Sequence, residues 1–170
     1  MVDVAAGAKL RASVINAAYP LFDVLDTSQS KSSSTTMTDV TGLSVALAAN
    51  STYIWDGYIA FNAGATGDFR CAFAVPASTT GHWALWGLST GSTGGVGTLN
   101  GSRIDGYGDA NFLAAGGSDA AGGVMACRPA GYIATAGTAG TFQMRYAQNT
   151  SNATALVIVA GSWLRLVKQT

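Results

Sequence analysis

TFQMRYAQNTSNATALVIVAGSWLRLVKQT, residues 141–170, is the stretch that decides the fold class of this chain. From Phe142 to Ala147, apolar and polar residues alternate with the period of two expected of a strand that buries one face. Leu156–Val159 is a short, β-branched run that is apolar on both faces, which predicts a central strand. After a turn at 160–161, alternation resumes and separates Leu164 and Leu166 from Trp163, Arg165 and Val167. The stretch therefore predicts three closing strands.

The same period of two recurs earlier in the chain. Tyr53–Phe61 and Asp68–Val75 alternate, with aromatic residues on one face. The glycine-rich region 89–123 carries scattered apolar residues, and we expect strands near Ser102–Tyr107 and Asn111–Ala115. About ten strands at this spacing predict an all-β, jelly-roll-like antiparallel β-sandwich.

The beginning of the chain has a different character. Val4–Ala18 is the only segment with helical character, and Ser13 is placed to cap a short helix that stops before Pro20. A polar, serine-rich stretch follows at residues 28–36. We therefore divide the chain into an N-terminal arm with a short helix, residues 1–35, and a β-sandwich domain, residues 36–170.

Composition narrows the function. Charged residues make up only 11% of the 170 residues, and nine basic and nine acidic side chains cancel. Without a basic cluster, nucleic-acid binding is disfavoured. The chain has no apolar run long enough to cross a membrane and no signal-peptide pattern, so we expect it to be made in the cytoplasm without membrane insertion. A surface so poor in charge suits either a compact domain rich in hydroxyl groups or a subunit covered by its neighbours.

Candidate catalytic motifs are weak. His82 is the single histidine, and no Gly-x-Ser-x-Gly elbow accompanies it. The glycines at 94–97 lack the Lys-Ser/Thr ending of a phosphate-binding loop. We therefore expect no enzymatic activity and no catalytic residues.

Metal and cofactor sites are not expected either. Asp105, Asp109 and Asn111 do not have the spacing of an EF-hand, and glycine-rich turns need such residues for conformational reasons. Cys71 lies on the same face as two phenylalanines, which favours a buried, reduced thiol. A disulfide between Cys71 and Cys127 stays open, because their spacing does not decide it.

Low charge and a closing run that is apolar on both faces indicate self-association. We predict a homotrimer about an axis lined by the closing strands, with an interface of Trp163, Arg165, Leu164, Leu166, Val157 and Val159. Exposed tryptophans also stack on sugars, so the candidate glycan contacts are Trp83, Trp86 and Trp163; packing in the core or at the trimer interface is the competing interpretation.

Three stretches carry a resemblance to a known family. They are AQNTSN-AT with the following β-branched run and AGSWL, AGAKLRASVINA at residues 6–17, and TGLSVALAANSTY at residues 41–53. Together they resemble small structural proteins of tailed bacteriophages, especially phages and prophages of actinobacteria. That family is associated with tail fibres and minor tail proteins. The resemblance implies a virion protein that binds other virion proteins, as a short tail fibre or minor tail protein that contacts the host surface. If the tryptophans named above stack on sugars, a host-surface glycan is a further expected partner.

The family resemblance also assigns a role to the N-terminal patch. It implies attachment to a partner through Lys9, Leu10, Arg11, Val14 and Ile15; a helix that plugs one end of the β-domain is the alternative. Two other functions stay open at this point. One is a capsid decoration protein that stabilises the head, and the other is a carbohydrate-binding module.

Overall fold

The structure is a computed structural model that describes residues 19–90, 92, 97–117 and 123–169. The predicted N-terminal helix and the predicted attachment residues Lys9, Leu10, Arg11, Val14 and Ile15 lie outside these ranges. The described residues contain strands and turns but no helix. They accordingly include no helix with the length and apolar character needed to cross a membrane.

Twelve strands make up the described part of the chain. In order they are β1 (Leu21–Val24), β2 (Gln29–Lys31), β3 (Thr38–Leu47), β4 (Thr52–Asn62), β5 (Phe69–Ala74), β6 (Thr80–Leu88), β7 (Leu99–Asp105), β8 (Leu113–Ala115), β9 (Met125–Ala134), β10 (Gly140–Gln148), β11 (Leu156–Ile158) and β12 (Trp163–Lys168). The two strands expected in the glycine-rich region are present as β7 and β8. The two strands beyond the predicted ten are the short strands β1 and β2.

The strands form two antiparallel sheets. The large sheet has the order β1-β12-β4-β9-β6-β7, with β11 beside β4 and β2 beside β11. The small sheet has the order β3-β10-β5-β8. The prediction of an all-β antiparallel sandwich is confirmed at this level. The three closing strands are also confirmed, but they divide between the sheets: β10 lies in the small sheet, and β11 and β12 lie in the large one.

Alternation along the strands builds one core between the sheets. In β10, Phe142, Met144 and Tyr146 are buried, as their spacing predicts. They meet β4 and β5, where the Trp55 ring contacts the Phe73 and Phe142 rings with centroids 4.6 and 4.8 Å apart. Such tilted aromatic pairs add to the burial of apolar area. The core is therefore organised around aromatic side chains from both sheets.

A tyrosine from the loop after β7 closes one end of this core. The Tyr107 hydroxyl accepts a hydrogen bond from Trp55 Nε1 at 3.0 Å and donates one to the Tyr132 carbonyl at 2.8 Å. Burial raises the pKa of Tyr107, so the hydroxyl keeps its proton. The loop is thereby tied to β4 and β9.

The two cysteines are buried free thiols on facing sheets, Cys71 in β5 and Cys127 in β9. Burial raises the pKa of both thiols well above the ordinary range, and the neighbouring Cys127 raises that of Cys71 further. Both thiols are therefore expected to stay protonated within the core.

Candidate interaction surface

The side of the large sheet that faces away from the core, here called the outer face, has the character of an interaction surface. Alternation sends every second residue of each strand to this side, and the antiparallel registers align these residues into three rows across the strands. The tyrosine row contains Val167, Ile54, Tyr132, His82 and Asp105. The middle row contains Phe22, Arg165, Asp56, Ala130, Ala84 and Arg103. The tryptophan row contains Val24, Trp163, Tyr58, Arg128, Trp86 and Gly101.

Large apolar side chains concentrate on the outer face. Among the described residues, ten large hydrophobic side chains are exposed, and six of them lie here: Phe22, Val24, Ile54, Trp86, Leu99 and Val167. Phe22, Ile54 and Trp86 are each more than half exposed, at 57%, 55% and 53%. The face is about 24 Å wide across six strands and about 20 Å long.

One half of the outer face, which we call the Trp163 half, is built from β1, β12 and the adjoining edge of β4. The Phe22 and Trp163 rings lie 5.7 Å apart, and the Arg165 guanidinium lies 5.9 Å from the Trp163 ring. Arg165 donates two hydrogen bonds to the Asp56 carboxylate, at 2.9 and 2.8 Å. These bonds raise the pKa of Arg165. Because each charge has its partner within the chain, the Trp163 half presents aromatic surface without net charge.

The other half contains a shallow groove that crosses the strands, which we call the alanine groove. Ala130 and Ala84 lie directly opposite each other on β9 and β6 and form its floor. Larger side chains flank them along both strands, Tyr132 and His82 on one side and Arg128 and Trp86 on the other. The two flanks are about 13 Å apart, since four residues separate them along an extended strand.

Charged pairs mark the two ends of the alanine groove. Asp56, which holds Arg165, lies opposite Ala130, and Arg103 lies opposite Ala84. Arg103 is paired with Asp105 at 2.6 Å. Arg128, in contrast, has no ion-pair or hydrogen-bond partner among the described residues. As far as the described residues go, the groove therefore carries one uncompensated positive charge.

The outer surface of the small sheet is different in kind, because polar contacts cover it. Arg145 pairs with Asp39 at 2.7 Å and with Asp109. Arg70 lies over the Phe112 ring at 4.6 Å. The pKa of Lys31 is lowered by burial and by the nearby Arg145 and Arg70. This surface is occupied by its own ion pairs, which leaves the outer face of the large sheet as the candidate site.

The structure separates the six residues predicted for the trimer interface. Trp163 and Arg165 lie on the outer face, as expected from their shared side of β12. Leu164 and Leu166 are completely buried in the core of the chain itself, so they are corrected from interface to core residues. The reason is the period of two, which turns them away from Trp163. Val157 and Val159 are half-buried at the far end of β4, where Val157 lies opposite Asn62.

The predicted glycan contacts also separate. Trp83 is completely buried and packs edge-on against Phe73 at 5.0 Å, so no sugar reaches it in this fold. Trp86, three residues further, points the opposite way and is exposed. Trp163 is half-buried beside Phe22. Of the three, Trp86 is the one that offers a free ring.

Sequence reasoning missed several outer-face residues, chiefly Phe22, Ile54, Arg128 and Tyr132. For Ile54 the signal was present, because it is out of phase with the inward-facing Tyr53 and Trp55. Arg128 and Tyr132 lie on β9, which runs from Met125 to Ala134 without a break. Their alignment with β6 depends on register, which no local pattern gives.

Groups with catalytic or metal-binding chemistry are dispersed on this face. The His82 and Tyr132 rings are stacked 6.0 Å apart on open sheet, and the Asp105 carboxylate opposite His82 is taken by Arg103. No group of three or more His, Cys, Asp or Glu side chains within the described ranges is arranged to hold a metal ion. The chemistry on offer is stacking, hydrogen bonding and charge.

Comparisons with known proteins give no family. No protein-family model matches the chain, and no curated protein matches it. Among solved structures, the tripod from the baseplate of bacteriophage Tuc2009 is similar at 11% identity and a TM-score of 0.36, over 99% of this chain and 74% of that one. The VP2 subviral particle of infectious bursal disease virus is similar at 12% identity and a TM-score of 0.24, over 89% of this chain and 41% of that one. Similarity at this level carries no inference about function.

Proposed function

We propose that this chain is a non-enzymatic structural subunit of a bacteriophage virion, which assembles as a homotrimer and serves as a short tail fibre or minor tail protein in contact with the host surface. The observation that carries the proposal is the concentration of exposed aromatic and aliphatic side chains on the outer face, in a chain with few charges. Exposed patches of this kind mark association surfaces. The resemblance of three stretches of the sequence to phage tail proteins supplies the virion setting.

Self-association uses the Trp163 half of the outer face. Covering the exposed portions of Phe22 and Ile54 is worth about 1 kcal/mol each, since full burial of such side chains gives about 1.5–3 kcal/mol. Arg165 and Asp56 already neutralise each other before a second subunit approaches, which lowers the free-energy cost of removing their charges from water. Burial of aromatic area with little electrostatic penalty favours a stable contact.

The strand order supports a jelly-roll architecture for the subunit. The eight central strands are β3 to β10. Four of them form the small sheet in the order β3-β10-β5-β8, and the other four lie in the large sheet in the order β4-β9-β6-β7, so that successive strands mostly alternate between the sheets. That alternation between sheets is the arrangement of two interlocked Greek keys. In this scheme β1, β2, β11 and β12 extend the large sheet and carry the Trp163 half.

Light scattering coupled to size-exclusion chromatography tests the self-association. At micromolar concentration we expect a mass three times the 17.2 kDa of one chain. The double substitution Phe22→Ser and Trp163→Ser is expected to give a monomer with an unchanged β-sheet circular dichroism spectrum. The matched control Phe112→Ser alters an exposed aromatic on the opposite face and leaves the trimer intact. A wild-type chain that elutes as a clean monomer contradicts the proposal.

Virion location requires a direct image of the particle. Gold-labelled antibodies against this chain, viewed by electron microscopy on purified phage, are expected on the tail. Label on the head instead indicates the capsid decoration role, and unlabelled particles contradict both. The proposed attachment through Lys9, Leu10, Arg11, Val14 and Ile15 predicts that removing residues 1–18 abolishes labelling of the particle.

A further inference from the structure

We infer that the alanine groove binds a carbohydrate chain that carries an anionic group, laid across strands β9 and β6 with one sugar ring on Trp86. This inference deepens the host-surface contact in the proposed function and rests on it, but it assigns that contact to the half of the outer face that self-association does not use. Three features of the groove support this assignment: its shape, its stacking surface and its charge.

The shape is that of a shallow, open binding site for an elongated ligand. Two opposed alanines form the floor, and aromatic or long side chains stand on both flanks. Ala84 and Ala130 are themselves partly exposed, so the floor is accessible. The distance of about 13 Å between the flanks leaves room for a short oligosaccharide to contact both.

The stacking surface is the ring of Trp86. It is 53% exposed, although its strand β6 is paired on both sides, with β9 and β7. Its neighbour on β7 is Gly101, where a Cβ atom would lie 3.2 Å from the indole, so the absence of a side chain there leaves room for the ring to lie against β7. The face of an indole ring is electron-rich and attracts the weakly positive C–H groups of a pyranose. Tyr132 and His82, stacked on each other, provide a second platform on the opposite flank.

The charge comes from Arg128, which lies directly opposite Trp86 on β9. The carboxylates nearest the groove are already engaged, Asp56 by Arg165 and Asp105 by Arg103. Arg128 is exposed and has no such partner within the described ranges. A guanidinium presents paired donors that match a carboxylate or a phosphate, so a sugar on Trp86 with either group reaches a complementary partner.

A second copy of the chain is the competing occupant of this half. Burial of Trp86 in the trimer would make it an assembly residue, and its loss would then change the oligomeric mass. The glycan assignment instead requires that Trp86 stay accessible in the assembled protein. The two interpretations therefore give opposite results for one variant.

The experiment is binding of the full chain to a glycan array with three arms: neutral oligosaccharides, their uronate-bearing counterparts and their phosphate-bearing counterparts. The wild type is expected to bind one or both anionic arms in preference to the neutral arm. Trp86→Ala is expected to weaken binding by about tenfold or more, which is the effect of losing one well-formed stacking contact. Trp86→Tyr keeps a ring and is expected to retain most of the binding. Arg128→Gln is expected to remove the preference for the anionic arms.

Controls separate this inference from the proposed assembly. Phe112→Ala, on the opposite face, is expected to leave binding unchanged, and all variants are compared by light scattering. Silence on both anionic arms overturns the inference, as does wild-type affinity in Trp86→Ala. A change of oligomeric mass in Trp86→Ala also overturns it, in favour of the second copy. A monomeric wild type that still binds the anionic arms refutes the trimer and leaves the groove assignment standing.

Discussion

Replacing Tyr107 by phenylalanine removes one hydroxyl oxygen from the closed end of the core. The ring itself keeps its edge-on contact with Phe142 at 6.2 Å, so the change isolates the hydrogen bonds. Trp55 is 1% exposed, and its indole N–H loses the acceptor that lies 3.0 Å away. The Tyr132 carbonyl loses a donor at 2.8 Å.

The expected cost follows from the unpaired Trp55 N–H. A buried donor left without a partner costs about 1–3 kcal/mol, so we expect Tyr107→Phe to lower the free energy of unfolding by about 2 kcal/mol. For a chain of this length that corresponds to a fall in Tm of about 4–8 °C. Urea denaturation followed by circular dichroism measures the former, and calorimetry measures the latter.

The same variant has a pH signature. Burial raises the pKa of Tyr107, so the native state holds this proton above pH 10, where an unfolded tyrosine releases it. The wild type therefore loses stability from this group as pH rises above about 10, whereas the phenylalanine variant does not. We expect the stability difference between the two proteins to be constant up to pH 9 and to narrow beyond pH 10.

Tyr58→Phe is the matched control, because the Tyr58 hydroxyl has no hydrogen-bond partner among the described residues. It is expected to change the free energy of unfolding by less than about 0.5 kcal/mol. If Tyr107→Phe is equally mild, the hydroxyl does not hold the end of the core and the reasoning fails. The Tyr107 hydroxyl also donates to the backbone carbonyl of Tyr132, a residue that flanks the alanine groove. A large loss of stability in Tyr107→Phe therefore indicates that this hydroxyl also supports the strand next to the groove.

Two further predictions concern stability. Burial raises the pKa of the Asp68 carboxyl, which accepts one hydrogen bond from the Gly117 N–H. Asp68 therefore contributes most to the free energy of unfolding below its ordinary pKa near 4, and this contribution falls as pH rises towards its raised native pKa. Asparagine is tolerated at the Asp68 φ of 48°. Asp68→Asn is therefore expected to be more stable than the wild type at pH 7 and to lose that advantage at pH 4. Urea melts that show the reverse order contradict this prediction. Gly131→Ala is expected to lower the free energy of unfolding by about 1–3 kcal/mol, because its Cβ would lie 2.5 Å from the His82 carbonyl oxygen. Gly137→Ala is the control, since Gly137 has open space around it. Equal shifts in Tm for the two variants argue against tight packing at Gly131.

The sequence was sufficient for the fold class and for the side of each strand that faces inward. Phe142, Met144 and Tyr146 were predicted to share a buried face, and they do. The same rule, applied strictly, would have placed Leu164 and Leu166 in the core and Trp163 outside. Assigning all of them to one interface was wrong because a strand cannot present two successive residues to the same partner.

The candidate site was only partly predictable. Trp86 and Trp163 were named from their residue type, but Trp83 was named with them although its phase in β6 points it inward. Phe22, Tyr132 and Arg128 became part of the site only through the pairing of β1 with β12 and of β9 with β6. Their neighbours come from distant parts of the chain.

The sequence by itself therefore determined the strand periodicity, the aromatic content of the core and the low charge of the surface, because side-chain alternation and composition are local properties. The tertiary structure decided the rest. It placed β10 and β12 in different sheets and aligned Ala84 with Ala130 to form the groove. It also paired Arg165 and Arg103 with carboxylates and left Arg128 without one among the described residues. Strand order and register depend on how the two sheets pack as a whole, so no single segment encodes them.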